Sequence, residues 1–147
     1  MNDVLNEVIG FLEKEALHRN IVVERIFDQN LPPISSDRAQ LQQVFLNILA
    51  NGLAAVDDGG RIEIKTWDED TDTEGVSIKD NGCGMSEKDL DNIFEPFFTT
   101  KKGYGTGLGL PITYGIIKKM GGVINVESKE GEGSTFTIFL LKKPAQS

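Results

Sequence analysis

Cysteine, histidine and tryptophan are nearly absent from this 147-residue sequence, which holds one of each. Because Cys83 is alone, no intramolecular disulfide can form, and a reducing compartment is expected. No apolar run approaches the ~18 residues that would indicate a membrane span, and no charged-then-apolar signal segment opens the chain. The sequence therefore predicts a cytoplasmic location and no membrane contact by this domain, and it leaves open whether a longer parent protein is membrane-anchored or soluble.

Basic residues are also scarce: 15 Lys plus Arg stand against 23 Asp plus Glu, a formal net charge of −8. This balance argues against nucleic acid as a partner, because neutralising its phosphates needs a basic face. A nucleotide needs only a few local donors and stays possible. With 39% hydrophobic residues, the chain suits one compact domain over 1–147, which we expect to be monomeric in isolation.

Hydrophobic periodicity and turn residues predict alternating helices and strands. The predicted elements are a helix at 3–19, a strand at 21–27, a long helix from 37 to about 56, a strand through Ile62 and Ile64, a polar hairpin tip at 71–75, a strand at 76–80, a short helix after Ser86, a loop at 94–107, a helix starting between 107 and 110, and strands at 123–128 and 134–141. A mixed β-sheet with helices packed on one face, an α/β two-layer sandwich, is the economical arrangement.

Two amides of the long helix, Asn47 and Asn51, lie four residues apart and therefore on one face, at the margin of the apolar stripe. Asn51 is followed by Gly52, and both are poor helix formers. Amide oxygens are suitable ligands for Mg²⁺ that is shared with nucleotide phosphates. Two partly exposed amides in ordinary hydrogen bonds are the alternative.

The segment "DNGCGM" (80–85) directly follows a predicted strand. Asp80 is an acceptor-only carboxylate that suits an exocyclic amine, and Gly82 and Gly84 would let the backbone come close to a ligand. A tight turn explains the same residues equally well.

Three more segments are "IFEPFFTTKK" (93–102), "GYGTGLGLPI" (103–112) and "GEGSTF" (131–136). The phenylalanines of the first must pack on the core or over a ligand, and its lysines could reach phosphate or be ordinary surface charge. The second opens a helix whose unsatisfied amides and positive dipole end favour an anion. The third could be only a hairpin turn. The order and spacing of all five motifs carry the functional signal.

Together these motifs resemble the ATP-binding catalytic domain of two-component sensor histidine kinases, in the GHKL superfamily with its Bergerat nucleotide fold. "QQVFLNILANGLAAV" resembles the asparagine box, "DNGCGM" the first glycine box and "IFEPFFTTK" the phenylalanine box. "GTGLGLPI" and "GEGSTF" resemble the second and third glycine boxes. The match covers residues 2 to 142 and is similar to the nitrogen-sensor type, which implies a short ATP lid at about 86–107.

The resemblance implies a role for each matched residue. Asn51 would coordinate Mg²⁺, and the catalytic pair would be Asn47, at the metal or phosphates, and Lys101, near the phosphates. Asp80 would bind the adenine amine, with Thr135 joining through an ordered water. Other implied contacts are close-packed glycines, lid-anchoring phenylalanines, and lid and helix-start groups that hold phosphate. These are Gly82, Gly84, Phe97, Phe98, Thr100, Gly105, Thr106, Gly107, Leu108, Gly109 and Leu110.

The chain also departs from the family pattern. Gly52 stands where the family mostly has Ala, and Ala55 where many members place Lys, His or Tyr. The phosphoacceptor box is absent, and the single histidine, His18, is expected to be a surface residue without a catalytic role. The chain would thus hold the ATP site but no phosphoacceptor dimerisation domain.

The implied function is to bind Mg-ATP and donate the γ-phosphoryl group to a histidine on a separate dimerisation domain, the first step of a relay to a response regulator. ATP-hydrolysing relatives carry a Glu four residues before the metal Asn, and this Glu activates water. This chain has Asn47 at that position, and an amide cannot take a proton, so appreciable ATP hydrolysis is disfavoured. A GHKL serine kinase, and an ATP-binding module without transfer, stay open as alternatives.

Overall fold

The computed structural model describes residues 1–95 and 109–143 of the chain. The elements are α1 (Asn2–His18), β1 (Val22–Ile26), α2 (Arg38–Ala55), β2 (Arg61–Asp68), β3 (Thr73–Asp80), α3 (Glu87–Leu90), α4 (Gly109–Lys119), β4 (Val123–Lys129) and β5 (Gly133–Leu141). Within these residues the predicted order of helices and strands is confirmed, and the predicted loop at 94–107 lies mostly outside them. Ser86 caps α3 by accepting a hydrogen bond from the backbone N–H of Asp89, as its position before a short helix predicts.

The strands form one mixed sheet in the order β1-β2-β3-β5-β4. β1 runs parallel to β2, and the remaining pairs are antiparallel. The parallel pair requires a crossover connection, and α2 supplies it. This topology places β3 in the centre of the sheet, next to β5.

Helices α1, α2 and α4 cover one face of the sheet, with α2 between the other two. The buried stripe of α2 consists of Leu41, Val44, Phe45, Ile48, Leu49 and Leu53. It meets alternate side chains of the central strands, among them Ile62, Ile64, Val76, Ile78, Phe136 and Ile138. This is the predicted α/β two-layer sandwich. No helix in residues 1–95 or 109–143 is both long and apolar enough to cross a membrane.

Both ends of α2 are fixed by side chains. At its start, the Asp37 carboxylate accepts hydrogen bonds from the backbone N–H groups of Ala39 and Gln40, which otherwise have no partner in a helix. At its end, the Arg19 guanidinium donates to the carbonyl oxygens of Leu53 and Val56, at 2.8 and 2.7 Å. A cation is favourable there because the helix dipole is negative at the C-terminus.

The predicted hairpin tip at 71–75 is too long, because β3 already begins at Thr73. Gly75 lies under the ring of Trp67, and a Cβ on Gly75 would stand 2.3 Å from that ring. Trp67 in turn contacts Phe139 edge to face, with ring centroids 6.1 Å apart. The glycine is therefore a packing position within a strand, although its polar neighbours suggest a turn.

Glu74 is a buried acid in the same part of β3. Its carboxylate oxygens have no hydrogen-bond partner within the described residues, and burial raises the pKa of the carboxyl group. The α-amino group of Met1 and the Lys142 ammonium oppose that shift, whereas Asp68 and Asp28 add to it. Burial therefore favours the protonated form of Glu74 more in the folded protein than in the unfolded chain.

Replacing Glu74 by Gln should raise the free energy of unfolding at pH 7 by on the order of 1 kcal/mol, since it removes an acid whose ionisation is favoured by unfolding. As pH rises above the ordinary carboxyl pKa of 4.5, the unfolded wild type loses the Glu74 proton more readily than the folded protein, whose carboxyl pKa is higher. Stability of the wild type therefore falls as pH rises through this window. Urea titrations should show a gain that is small near pH 4 and larger near pH 7.

Glu127→Gln is the matched control, because Glu127 is exposed on β4. It should show no comparable pH-dependent gain. A Glu74→Gln effect that is the same at both pH values would contradict the assignment of a raised pKa to Glu74.

Candidate nucleotide-binding site

Asn47 connects α2 to the beginning of α4. Its Nδ2 donates to the carbonyl oxygen of Gly109 and to the hydroxyl of Thr113, both at 3.1 Å. Its Oδ1 accepts a hydrogen bond from Gln43 at 2.8 Å. The amide thus fixes where α4 starts relative to α2, a role that sequence reasoning did not assign to it.

Asn51 lies one helical turn further along α2 and is half-buried. Its side chain forms no hydrogen bond with another described residue, so the amide is available to a ligand. Within residues 1–95 and 109–143, no three His, Cys, Asp or Glu side chains are placed to hold a metal ion. A cation at Asn51 would therefore need most of its ligands from a bound nucleotide and water, which is the usual coordination of Mg²⁺.

Asp80 ends β3 on the face of the sheet that the helices cover, and it is only 4% exposed. Its Oδ1 accepts a hydrogen bond from the backbone N–H of Gly82 at 2.9 Å. Burial raises the pKa of Asp80, and the backbone amides of Gly82 and Ser134 partly offset the rise. A desolvated carboxylate with its Oδ2 still able to accept is chemically suited to an amino group.

The turn after Asp80 fits between α2 and the β4–β5 connection because of its two glycines. A Cβ on Gly82 would lie 2.5 Å from the carbonyl oxygen of Ala55. Gly84 has a φ of 68°, and a Cβ there would lie 2.0 Å from the carbonyl oxygen of Lys129. Packing within the protein thus already requires both glycines, and their approach to a ligand stays a prediction.

The strand register contradicts the expectation that Thr135 joins Asp80. Asp80 pairs with Ser134, whereas Thr135 pairs with Lys79. Because side chains alternate along a strand, Thr135 lies on the opposite face of the sheet. The hydroxyl beside Asp80 belongs to Ser134, which is buried and 2.8 Å from the hydroxyl of Ser128. The sequence alone did not identify Ser134, because Ser134 and Thr135 are adjacent hydroxyl residues that differ only in which face of the sheet their side chains occupy.

The structure brings together the predicted site residues of α2, β3 and α4. Gly109 and Leu110 form the first described turn of α4, and Leu110 packs against the core. The other predicted contacts lie outside the described residues: Phe97, Phe98, Thr100, Lys101, Gly105, Thr106, Gly107 and Leu108.

A buried carboxylate, an available amide and a helix start therefore share one side of the molecule. Residues 36–144, which include α2, β3, α4 and β5, match the family of histidine kinase-, DNA gyrase B- and HSP90-like ATPases. The chain belongs to this family. Membership implies ATP binding and the Bergerat fold.

Several similar proteins are histidine kinases. The signal transduction histidine-protein kinase AtoS of Escherichia coli strain K12 is 39% identical over 144 residues, which are 98% of this chain and 24% of AtoS. The catalytic domain of histidine kinase ThkA superposes with a TM-score of 0.88 at 34% identity, covering 98% of this chain and 93% of that one. ThkA in complex with the response regulator protein TrrA superposes at 0.85 and 29% identity, covering 100% of this chain and 42% of that one.

These comparisons confirm the expected kinase family. This ATPase domain is of the histidine kinase catalytic type, and it spans about a quarter of the length of AtoS.

Replacing Asn47 by Ala should lower the free energy of unfolding by about 1–3 kcal/mol, because the Thr113 hydroxyl and the Gly109 carbonyl lose a donor. Asn51→Ala is the matched control, since it makes the same change one turn further along α2. Urea unfolding should show a clear loss for the first variant and little change for the second. Equal effects would contradict the role of Asn47 in holding α4.

Proposed function

We propose that this domain binds ATP with Mg²⁺ and donates the γ-phosphoryl group to a histidine on a separate dimerisation domain. The observation that carries the proposal is the convergence of three elements at one site. Asp80 offers a buried acceptor at the end of β3, α2 lies against it at Gly52, the residue after Asn51, and Asn47 holds the start of α4. This arrangement offers distinct groups for the base and for the phosphates.

At the base, the Oδ2 of Asp80 would accept a hydrogen bond from the exocyclic amine. The Gly82 amide holds the other carboxylate oxygen and thereby orients the acceptor. Ser134, paired with Asp80 across the sheet, would contribute its hydroxyl through a bridging water. A carboxylate that is already desolvated gains more from such a donor than an exposed one.

At the phosphates, the start of α4 would provide unsatisfied backbone amides and the positive end of an 11-residue helix. Asn51 would ligate Mg²⁺ through its amide oxygen. Bound Mg²⁺ would neutralise phosphate charge and favour transfer. The lid at about 86–107 would contribute Lys101, Thr100 and Thr106 to the phosphate site. Its phenylalanines would anchor the lid, and backbone amides from Gly105 onwards would contact phosphate.

Transfer is favoured over hydrolysis by the chemistry of Asn47. Its amide cannot accept a proton at neutral pH, and it is already engaged with Gly109, Thr113 and Gln43. No general base for water is therefore offered at this position. The proposed acceptor is a histidine-bearing dimerisation domain of the same kinase, in the cytoplasm, with a response regulator downstream, as the ThkA–TrrA complex supports for a relative.

Asp80→Asn should weaken ATP binding by about tenfold to a hundredfold, because a hydrogen bond to a charged acceptor is lost. Isothermal titration calorimetry with Mg-ATP measures the change, and circular dichroism checks that the fold is retained. Unchanged affinity in a folded variant would refute the assignment of Asp80 to the base.

The neighbouring hydroxyls provide a second test of the site. Ser134→Ala should weaken ATP binding severalfold, whereas Thr135→Val, on the opposite face of β5, should not. If Thr135→Val gave the larger loss, the proposed water bridge through Ser134 would be wrong.

Transfer itself is tested by mixing this domain, ATP labelled at the γ-phosphate and a separate histidine-bearing dimerisation domain. Acid-labile, base-stable label on the second domain is expected. ATP binding without label transfer would instead favour a nucleotide-sensing module, and rapid release of free phosphate would favour an ATPase.

A further inference from the structure

Gly52 is a glycine in α2 that the backbone does not require. It lies in the last turns of a regular helix, and its φ is outside the left-handed region. Among the described atoms, a Cβ built on it would meet nothing closer than 3.4 Å, which is ordinary contact distance. Glycine in a helix interior is less stable than alanine. The missing methyl group therefore leaves a small space that the fold could have filled.

This space borders the acceptor oxygen of the proposed base site. The Cβ position lies 3.4 Å from Cδ1 of Ile62 and 3.9 Å from both Cβ and Oδ2 of Asp80. The Oδ1 of Asp80 already accepts from Gly82, so Oδ2 is the oxygen left for a ligand donor. A donor on Oδ2 would therefore stand close to the position that an alanine methyl would occupy.

We propose that Gly52 determines the size of substituent tolerated on the amine that Asp80 binds. The inference rests on the proposed function, and it assigns to this chain a purine nucleotide site that accepts a methyl group on the exocyclic amine. N6-methyl-ATP keeps one N–H to donate to Oδ2, and its methyl group fits the space beside Ile62. N6,N6-dimethyl-ATP has no N–H and is excluded.

Gly52→Ala fills the space with a methyl group and provides the test. Calorimetric titration should give similar affinities of the wild type for ATP and N6-methyl-ATP. In Gly52→Ala, the affinity for N6-methyl-ATP relative to ATP should fall by about tenfold or more, the usual range for one methyl group in a closed pocket. N6,N6-dimethyl-ATP should bind poorly to both proteins.

Gly10→Ala is the matched control. Gly10 lies in the middle of α1, and a Cβ there would have open space around it. Both substitutions should raise the melting temperature, because alanine replaces a helical glycine. Only Gly52→Ala should change the preference between the two nucleotides.

Each outcome separates this inference from the proposed function. If the wild type binds ATP and Gly52→Ala leaves the nucleotide preference unchanged, the inference is overturned and the ATP site stands. A lower melting temperature for Gly52→Ala would show that no space for a methyl group exists beside Gly52, which overturns the inference. Tight binding of N6,N6-dimethyl-ATP would show that the site does not require an N–H on the exocyclic amine, and this also overturns it. Failure of the wild type to bind ATP would overturn both.

Discussion

The packing of α2 against the central strand β3 is the contact on which the site depends. The apolar stripe of α2 that includes Phe45, Ile48 and Leu49 is buried, and this burial fixes the rotation of the helix about its own axis. Once that rotation is set, Asn47 must face the beginning of α4 and Gly52 must face Asp80. The burial of apolar side chains thus positions site residues such as Asn47 and Gly52, which contribute little to the hydrophobic core themselves.

Strand β3 carries two buried carboxyl groups that differ in their hydrogen bonding. Glu74 and Asp80 lie six residues apart and therefore on the same face, and burial raises the pKa of both. Backbone amides of Gly82 and Ser134 partly compensate Asp80, whereas the oxygens of Glu74 have no hydrogen-bond partner within residues 1–95 and 109–143. Desolvation alone therefore does not make a binding group. What distinguishes Asp80 is the turn, which orients Oδ1 through the Gly82 amide and leaves Oδ2 outside that hydrogen bond.

Sequence periodicity was sufficient for the order of elements and the layer architecture, because helical and strand patterns in α2, β3 and β5 are local properties. It failed where the answer depends on a partner in another strand. Gly75 looks like a turn residue until Trp67 is placed over it, and the choice between Ser134 and Thr135 needs the pairing of β5 with β3. The hydrogen bond between Asn47 and Gly109 likewise cannot be predicted from local sequence patterns, since 62 residues separate the two.

The pairing of β3 with β5 has a consequence for evolutionary change in the segment between α3 and α4. On one side of that segment, the turn at 81–85 is bonded to β4 and to the β4–β5 connection through Met85 and Gly131. On the other side, Asn47 secures the start of α4. Both ends of the segment are therefore held by hydrogen bonds between residues that the structure describes. For a flexible connection, each doubling of its length costs only about 0.6 kcal/mol of closure entropy, so a change of length between two such anchors is a small thermodynamic cost to the fold.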